Sequence, residues 1–378
     1  MKNKFVLSLC ILVLSVMFSV SCFAAEKYLF LVVGPMTGDS AAQGIQMKTG
    51  AELAMNEINK TGGINGKEMG FVVADDVADP NQAVIIAQKY SGNDDLLFVL
   101  GHNNSNCSIA ALPTWEAAGI PVLSPCNSSP LITQLGHKNY FRVVANDNIQ
   151  TNQMVRLAVL ELGCKNIAFL WENTDYGRGS LDWAKNAIPE YGGTLVADAS
   201  FAPAKDRDFS SQITTFKGAG ADGVLIIGEY TGAALFCIQA KSFGLDAKII
   251  GSGGCANPKL IEIAGEAAEG YYAIAAFDPN DTRPKQANFI KIFEDALGDR
   301  PGEWGANSYD LVHLVAKGIE GGGITREKLI EVLHQDDFEY EGVTGLIKFD
   351  EYGDVPDKSS LFLLVKDGKF TTYIPEKF

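Results

Sequence analysis

Among the 378 residues, 46 are acidic and 31 basic; the formal charge of −15 argues against a nucleic-acid or anionic-membrane partner. The length suggests about two domains. Cys107, Cys126, Cys164, Cys237 and Cys255 are irregularly spaced, which is no disulfide framework although one pair could form, and the scattered histidines give no metal-site spacing.

Lys2, Lys4, the apolar run "FVLSLCILVLSVMF" and the small residues ending at Ala25 read as a secretory signal peptide, residues 1–25. A lipoprotein cut before Cys22 is the alternative, disfavoured because Ser19 stands where a lipobox carries Leu. No later apolar run reaches the ~18 residues that span a bilayer, so a periplasmic protein is expected.

A repeated unit follows, in which a short apolar run gives way to a polar loop and then to a segment of helical period. Six clear cases are "YLFLVVGPMTG", "LLFVLGHNNSN", "IPVLSPCNSSP", "NIAFLWENTDYGRG", "GVLIIGEYTGA" and "KIIGSGGCANP". Apolar runs that do not alternate indicate strands covered on both faces, hence an α/β fold with parallel-rich sheets. Ligands in such sheets bind beyond the carboxyl ends of the strands, where these six loops lie.

"DDVADPNQAV" reads as Asp79 capping a helix that starts at Pro80, with Asp75 and Asp76 solvated. In "GHNNSNCSIAA", Ser105 sits in a polar loop ahead of a helix. In "SPCNSSPLIT", Ser129 and Pro130 read as N-cap and first helical residue, while Cys126, Asn127 and Ser128 sit at the strand end. Two such loops side by side offer backbone N–H groups and hydroxyls to one carboxylate. Asn146 to Gln150 reads as a crossing to a second, similarly wound lobe. There, "TDYGRG" presents Tyr176, and "GEYTG" presents Glu229 and Tyr230. "YYAIAAFDPNDTRPKQ" reads as a crossing back, and the chain ends in two strands, the last with an Asp-Gly turn. Nucleophile-elbow, phosphate-loop and dinucleotide-loop spacings are absent, so a non-enzymatic protein without cofactor is expected, with a Cys126 or Ser128 hydrolase as the distant alternative.

Together "VGPMTG", "GGINGK", "DDVADPNQAV", "SPCNSSPLIT", "YGRG", "IAGEAAEGYY" and "VTGLIKFDEYGD" resemble the periplasmic leucine/isoleucine/valine-binding family of type I solute-binding proteins. The resemblance implies two Rossmann-like lobes joined by a three-crossing hinge, with residues 26–145 plus 276–352 as lobe 1 and 146–275 plus 353–378 as lobe 2. It implies a monomer that passes an amino acid or related small carboxylate to a membrane ABC permease complex. By motif position, the ligand carboxylate would meet Ser105, the Cys126 backbone, Asn127 and Ser128, and the second lobe would add Tyr176 and Tyr230. The family's acidic partner for an α-ammonium falls on Gly253, so either Glu229 replaces it or the ligand is a non-amino carboxylate or amide. A ligand-sensing receptor remains a third reading, because the fold serves both roles.

Overall fold

A computed structural model describes residues 27–203, 205–358 and 360–377. The proposed signal peptide and Cys22 lie outside the described residues. The chain opens with β1 (Tyr28–Gly34), α1 (Ala41–Lys60), β2 (Met69–Asp75), α2 (Pro80–Ser91), β3 (Leu96–Leu100), α3 (Ser105–Ala117), β4 (Val122–Ser124), the single turn α4 (Leu131–Gln134) and β5 (Tyr140–Arg142). These strands form a parallel sheet in the order β2-β1-β3-β4-β5. Leu96 to Leu100 are buried throughout, as a strand with helices on both faces must be.

After α5 (Asp147–Arg156) come β6 (Asn166–Glu172), α6 (Asp175–Glu190), β7 (Thr194–Phe201), α7 (Ser210–Gly218), β8 (Gly223–Ile227), α8 (Tyr230–Ser242), β9 (Lys248–Gly251), α9 (Pro258–Ala264) and β10 (Tyr272–Ala275). The chain then returns to the first sheet through α10 (Pro284–Leu297), α11 (Glu303–Glu320) and α12 (Arg326–Leu333), with the small ribbon β11 (Tyr340–Gly342) and β12 (Gly345–Ile347). It finishes as the hairpin β13 (Leu361–Lys366) and β14 (Lys369–Tyr373) on the second sheet, whose order is β14-β13-β10-β9-β8-β6-β7. Asp367 and Gly368 both have positive φ, 53° and 72°, as a two-residue hairpin turn requires. Strands β2 and β7 lack the long buried runs of the central strands, because each stands at a sheet edge and has a face open to solvent.

Phe30 and Phe98 of the first sheet share one core with Phe289, Phe293, Trp304 and Leu311 of the returning helices. Helices α1 and α11 approach so closely that a Cβ at Gly50 would lie 2.1 Å from the Gly305 carbonyl oxygen, so only glycine fits. This packing presents the start of α11, Glu303 and Trp304, at the edge of the space between the sheets. Asp79 caps α2 as expected, accepting from the Asn81 and Gln82 amides at 2.7 and 3.2 Å. Asp76 departs from the solvated reading: it is fully buried and meets His102 Nδ1 at 2.7 Å, since the β2 end faces the β3–α3 loop.

Candidate functional site

A cavity of about 170 Å³ lies between the two sheets, lined from both lobes beyond the carboxyl ends of their parallel strands. For scale, an apolar cavity of about 150 Å³ holds benzene.

The first wall comes from the loops after β3 and β4. Asn103 ties them together: its amide donates to Gln43 Oε1 at 2.8 Å, its carbonyl accepts from Asn127 Nδ2 at 2.6 Å, and its Oδ1 accepts from the Cys126 thiol at 3.0 Å. Fully buried Arg142 holds the second loop from behind, donating to the Ser129 carbonyl at 2.7 Å and to Thr133 Oγ1 at 3.0 Å, and pairing with Asp354. Ser105, Cys126 and Ser128 line the cavity. Ser105 is the first residue of α3, so the amides of a 13-residue helix start point the same way as its hydroxyl.

Two residues of this wall take roles other than those expected. Asn127 does not line the cavity: its N–H donates to Ser124 Oγ at 2.9 Å and its side chain is consumed by Asn103 and Ser108, so it braces the loop. Ser129 is no cap, because the following helix is one turn long with Pro130 at its N-cap position; the Ser129 N–H instead donates to Ser105 Oγ at 3.4 Å. The Ser128 carbonyl accepts from the Asp147 N–H at 2.8 Å, and burial pushes the Asp147 carboxyl up to about 7.

The second wall comes from the ends of β6, β7, β8 and β9. Tyr176 lines the cavity and its hydroxyl donates to Ser252 Oγ at 2.6 Å. Tyr230 stands apart from the cavity lining: as first residue of α8 it reaches across the cleft, its hydroxyl donating to the Asp39 carbonyl at 2.6 Å. Thr231 Oγ1 donates to the same carbonyl at 3.2 Å, Arg207 pairs with the Asp39 carboxylate, and Gln43 donates to Glu229. These contacts join the lobes, so the cavity is that of a closed form.

Gly253 and Gly254 line the cavity, and acids crowd their bare backbone. A Cβ at Gly253 would lie 3.0 Å from Glu303 Oε1 and 3.3 Å from Gln150 Oε1, and one at Gly254 would lie 3.2 Å from Glu229 Oε2. Glu303 keeps its other oxygen on the Ala276 N–H at 2.9 Å, and Gln150 spends its amide on the Ala145 carbonyl at 2.6 Å. Both side chains are more than nine-tenths buried and each leaves an acceptor facing Gly253. Burial pushes the Glu303 carboxyl up to about 7. Glu172, at the end of β6, accepts the Glu229 N–H at 2.9 Å. Burial raises both of these carboxyls well above their ordinary range, and each other's charge adds to the rise at Glu229. Burial, followed by the fields of Glu303 and Glu229, likewise holds the Cys126 thiol protonated. All five described cysteines are free thiols.

Glu172, Gln150, Phe201, Glu303 and Trp304 are lining residues that the sequence reading missed. Glu172 ends a run already read as a strand and so carried a signal. Glu303 carried none, because it reaches the cavity only through the return of α11 to the first lobe.

With cavity and walls defined, the matches to known proteins fall into place. Residues 30–369 match the sequence signature of the periplasmic binding protein family. The chain belongs to that family. A curated relative is the leucine-, isoleucine-, valine-, threonine- and alanine-binding protein of Pseudomonas aeruginosa, 35% identical over 335 residues that cover 88% of each chain. Among solved structures, the leucine-binding protein LivK of Thermotoga maritima is 29% identical with a TM-score of 0.85, covering 92% of this chain and 97% of that one. The branched-chain amino acid substrate-binding protein LivJ of Streptococcus pneumoniae, solved with isoleucine, is 26% identical with a TM-score of 0.85, covering 91% and 98%. The chain is thus a type I periplasmic binding protein with two α/β lobes.

Proposed function

We propose that this protein is an extracytoplasmic receptor that closes on an α-amino acid and delivers it to an ABC importer. The observation that carries the reading is the pair of open acceptors, Glu303 Oε1 and Gln150 Oε1, converging on Gly253. An ammonium there meets a carboxylate and an amide oxygen, with Glu229 beside them at Gly254. The family's acid is replaced from the opposite lobe, and glycine at 253 leaves room beside Glu303 and Gln150. The ligand carboxylate lies against Ser105, Ser128 and the Cys126 backbone, at the start of α3.

The charge of the lining supports an amino acid over a simple acid. Glu172, Glu229 and Glu303 face a cavity in which, among the described residues, the lining cation Arg207 is paired with Asp39. A ligand ammonium gives these buried carboxyls a partner, whereas a ligand with a carboxylate and no cation would add negative charge beside them in a desolvated site, costing several kcal/mol. We assign residues 27–145 plus 276–358 and 146–275 plus 360–377 to the two lobes, which close as rigid bodies about the crossings; the expected boundary at 352 moves because the Gly353 carbonyl accepts from the Arg142 N–H at 2.9 Å, Asp354 pairs with Arg142 and Val355 lies in the first-lobe core. Burial holds the Cys126 thiol protonated, which supports binding without chemistry at that residue.

Calorimetry with L-leucine, and with 4-methylpentanoate as the same skeleton without the amine, tests the reading. Binding of the amino acid at least tenfold tighter than the acid is expected. Equal or tighter binding of the acid overturns it.

A further inference from the structure

The cavity is lined by more carboxyl groups than one ammonium can pair with. Glu303 and Gln150 make one acceptor pair at Gly253, and Glu172 and Glu229 make a second, joined by the Glu229 N–H on Glu172 Oε1. Glu172 is only 4% exposed and lines the cavity, and among the described residues its Oε2 has no hydrogen-bond partner. Glu229 receives amides from the first lobe, Gln43 on one oxygen and Asn104 at 3.5 Å on the other, which a neutral residue would accept as well. Two carboxyls that line one closed, poorly hydrated cavity are costly to ionise unless a proton or a cation sits with them. A hydrophobic ligand side chain would leave them only a shared proton.

We infer that the ligand carries a second cationic group on its side chain, seated between Glu172 and Glu229, and is therefore a basic amino acid of the lysine, ornithine or arginine class. The inference rests on the amino-acid reading above and adds the chemistry of the side chain. Its three charged groups then meet three features of the site: the carboxylate at Ser105 and Ser128, the α-ammonium at Glu303 and Gln150, and the side-chain cation at Glu172. The raised carboxyls support this arrangement, since each ionises on meeting its cation and the closed complex releases protons.

Isothermal titration at pH 7.5 of the purified protein with L-lysine, L-ornithine, L-arginine, L-norleucine, L-leucine and putrescine tests it. L-norleucine matches the carbon chain of lysine without its side-chain amine. At least one basic amino acid is expected to bind ten times more tightly than norleucine and leucine, and Glu172→Gln is expected to lower the lysine-to-norleucine affinity ratio tenfold or more. Should Glu172→Gln fail to fold, Glu229→Gln serves the same comparison. Norleucine or leucine binding as tightly as every basic amino acid overturns the inference and leaves the amino-acid reading standing. Putrescine binding more tightly than ornithine also overturns it, because the carboxylate would then contribute nothing. Binding by no amino acid removes both.

Discussion

The two walls of the cleft are built on opposite plans. The first-lobe wall is local: hydroxyls and backbone amides at the start of α3 and in the loop after β4, braced by Asn103, Asn127 and Arg142 within the same lobe. The acidic wall is convergent: Glu172 and Glu229 come from two strands of the second sheet, Gln150 from the hinge helix α5, and Glu303 from a helix that packs on the first sheet. A neutral wall suited to a carboxylate thus faces a charged wall suited to cations. The polarity fixes which way a zwitterion lies before any side chain is chosen.

Removing the acid at Gly253 is the strongest way to break this contrast. Glu303→Gln keeps the shape and the Ala276 contact but loses the charge, and the expected loss for an amino acid is about a hundredfold, near 3 kcal/mol for a charge-assisted contact. Binding of 4-methylpentanoate should be unchanged or improved, and titration of both ligands reads the difference.

Next in size is the dependence on pH. With its carboxyl at about 7 in the ligand-free closed form against an ordinary 4.5, Glu303 holds more protons in the folded than in the unfolded chain between those values. Its contribution therefore lowers stability as pH rises from 4.5 to 7, and the whole penalty is present above 7. An ammonium reverses this by pairing with the ionised form, so its affinity should fall about tenfold per pH unit below 7 through this one proton. Titrations in buffers of different ionisation enthalpy should show proton release near pH 6.5 that shrinks in Glu303→Gln.

Ser128→Ala probes the other wall. Loss of one hydroxyl contact is expected to cost about 1 kcal/mol, roughly five- to tenfold, for every ligand that carries a carboxylate. Measured by titration, the loss should be the same with or without an amine on the ligand, and a loss confined to amino acids would blur the division between the walls. Tyr230→Phe should have the smallest effect. It removes the cross-lobe bond to Asp39 and so shifts the closing equilibrium, weakening all ligands about threefold without changing their order in a competition assay.

Legibility in the sequence follows the same division. The β3–α3 and β4–α4 loops stood out because strand, hydroxyls and helix start are contiguous, and Ser105, Cys126 and Ser128 do line the cavity. What local reading missed within them was orientation: Asn127 turns inward to brace, and Ser129 gives its carbonyl to Arg142 instead of capping. Gly253 could be read as a missing acid, but not why glycine stands there, because its neighbours Gln150 and Glu303 lie about a hundred and fifty residues apart in the chain. Tyr230 was read as a ligand contact from its place after a strand, but the close approach of Asp39 directs it to the latch. The central strands were evident from buried apolar runs, whereas the edge strands β2 and β7 were hidden by their exposed faces.

The account turns on where the ammonium lies. A crystal structure of the protein closed on the amino acid that it binds most tightly tests this directly. The expected result is the α-ammonium within hydrogen-bond distance of Glu303 Oε1 and Gln150 Oε1 above Gly253, with the carboxylate on Ser105 and Ser128. A ligand in the reverse orientation, or an ammonium without contact to Glu303, would contradict it.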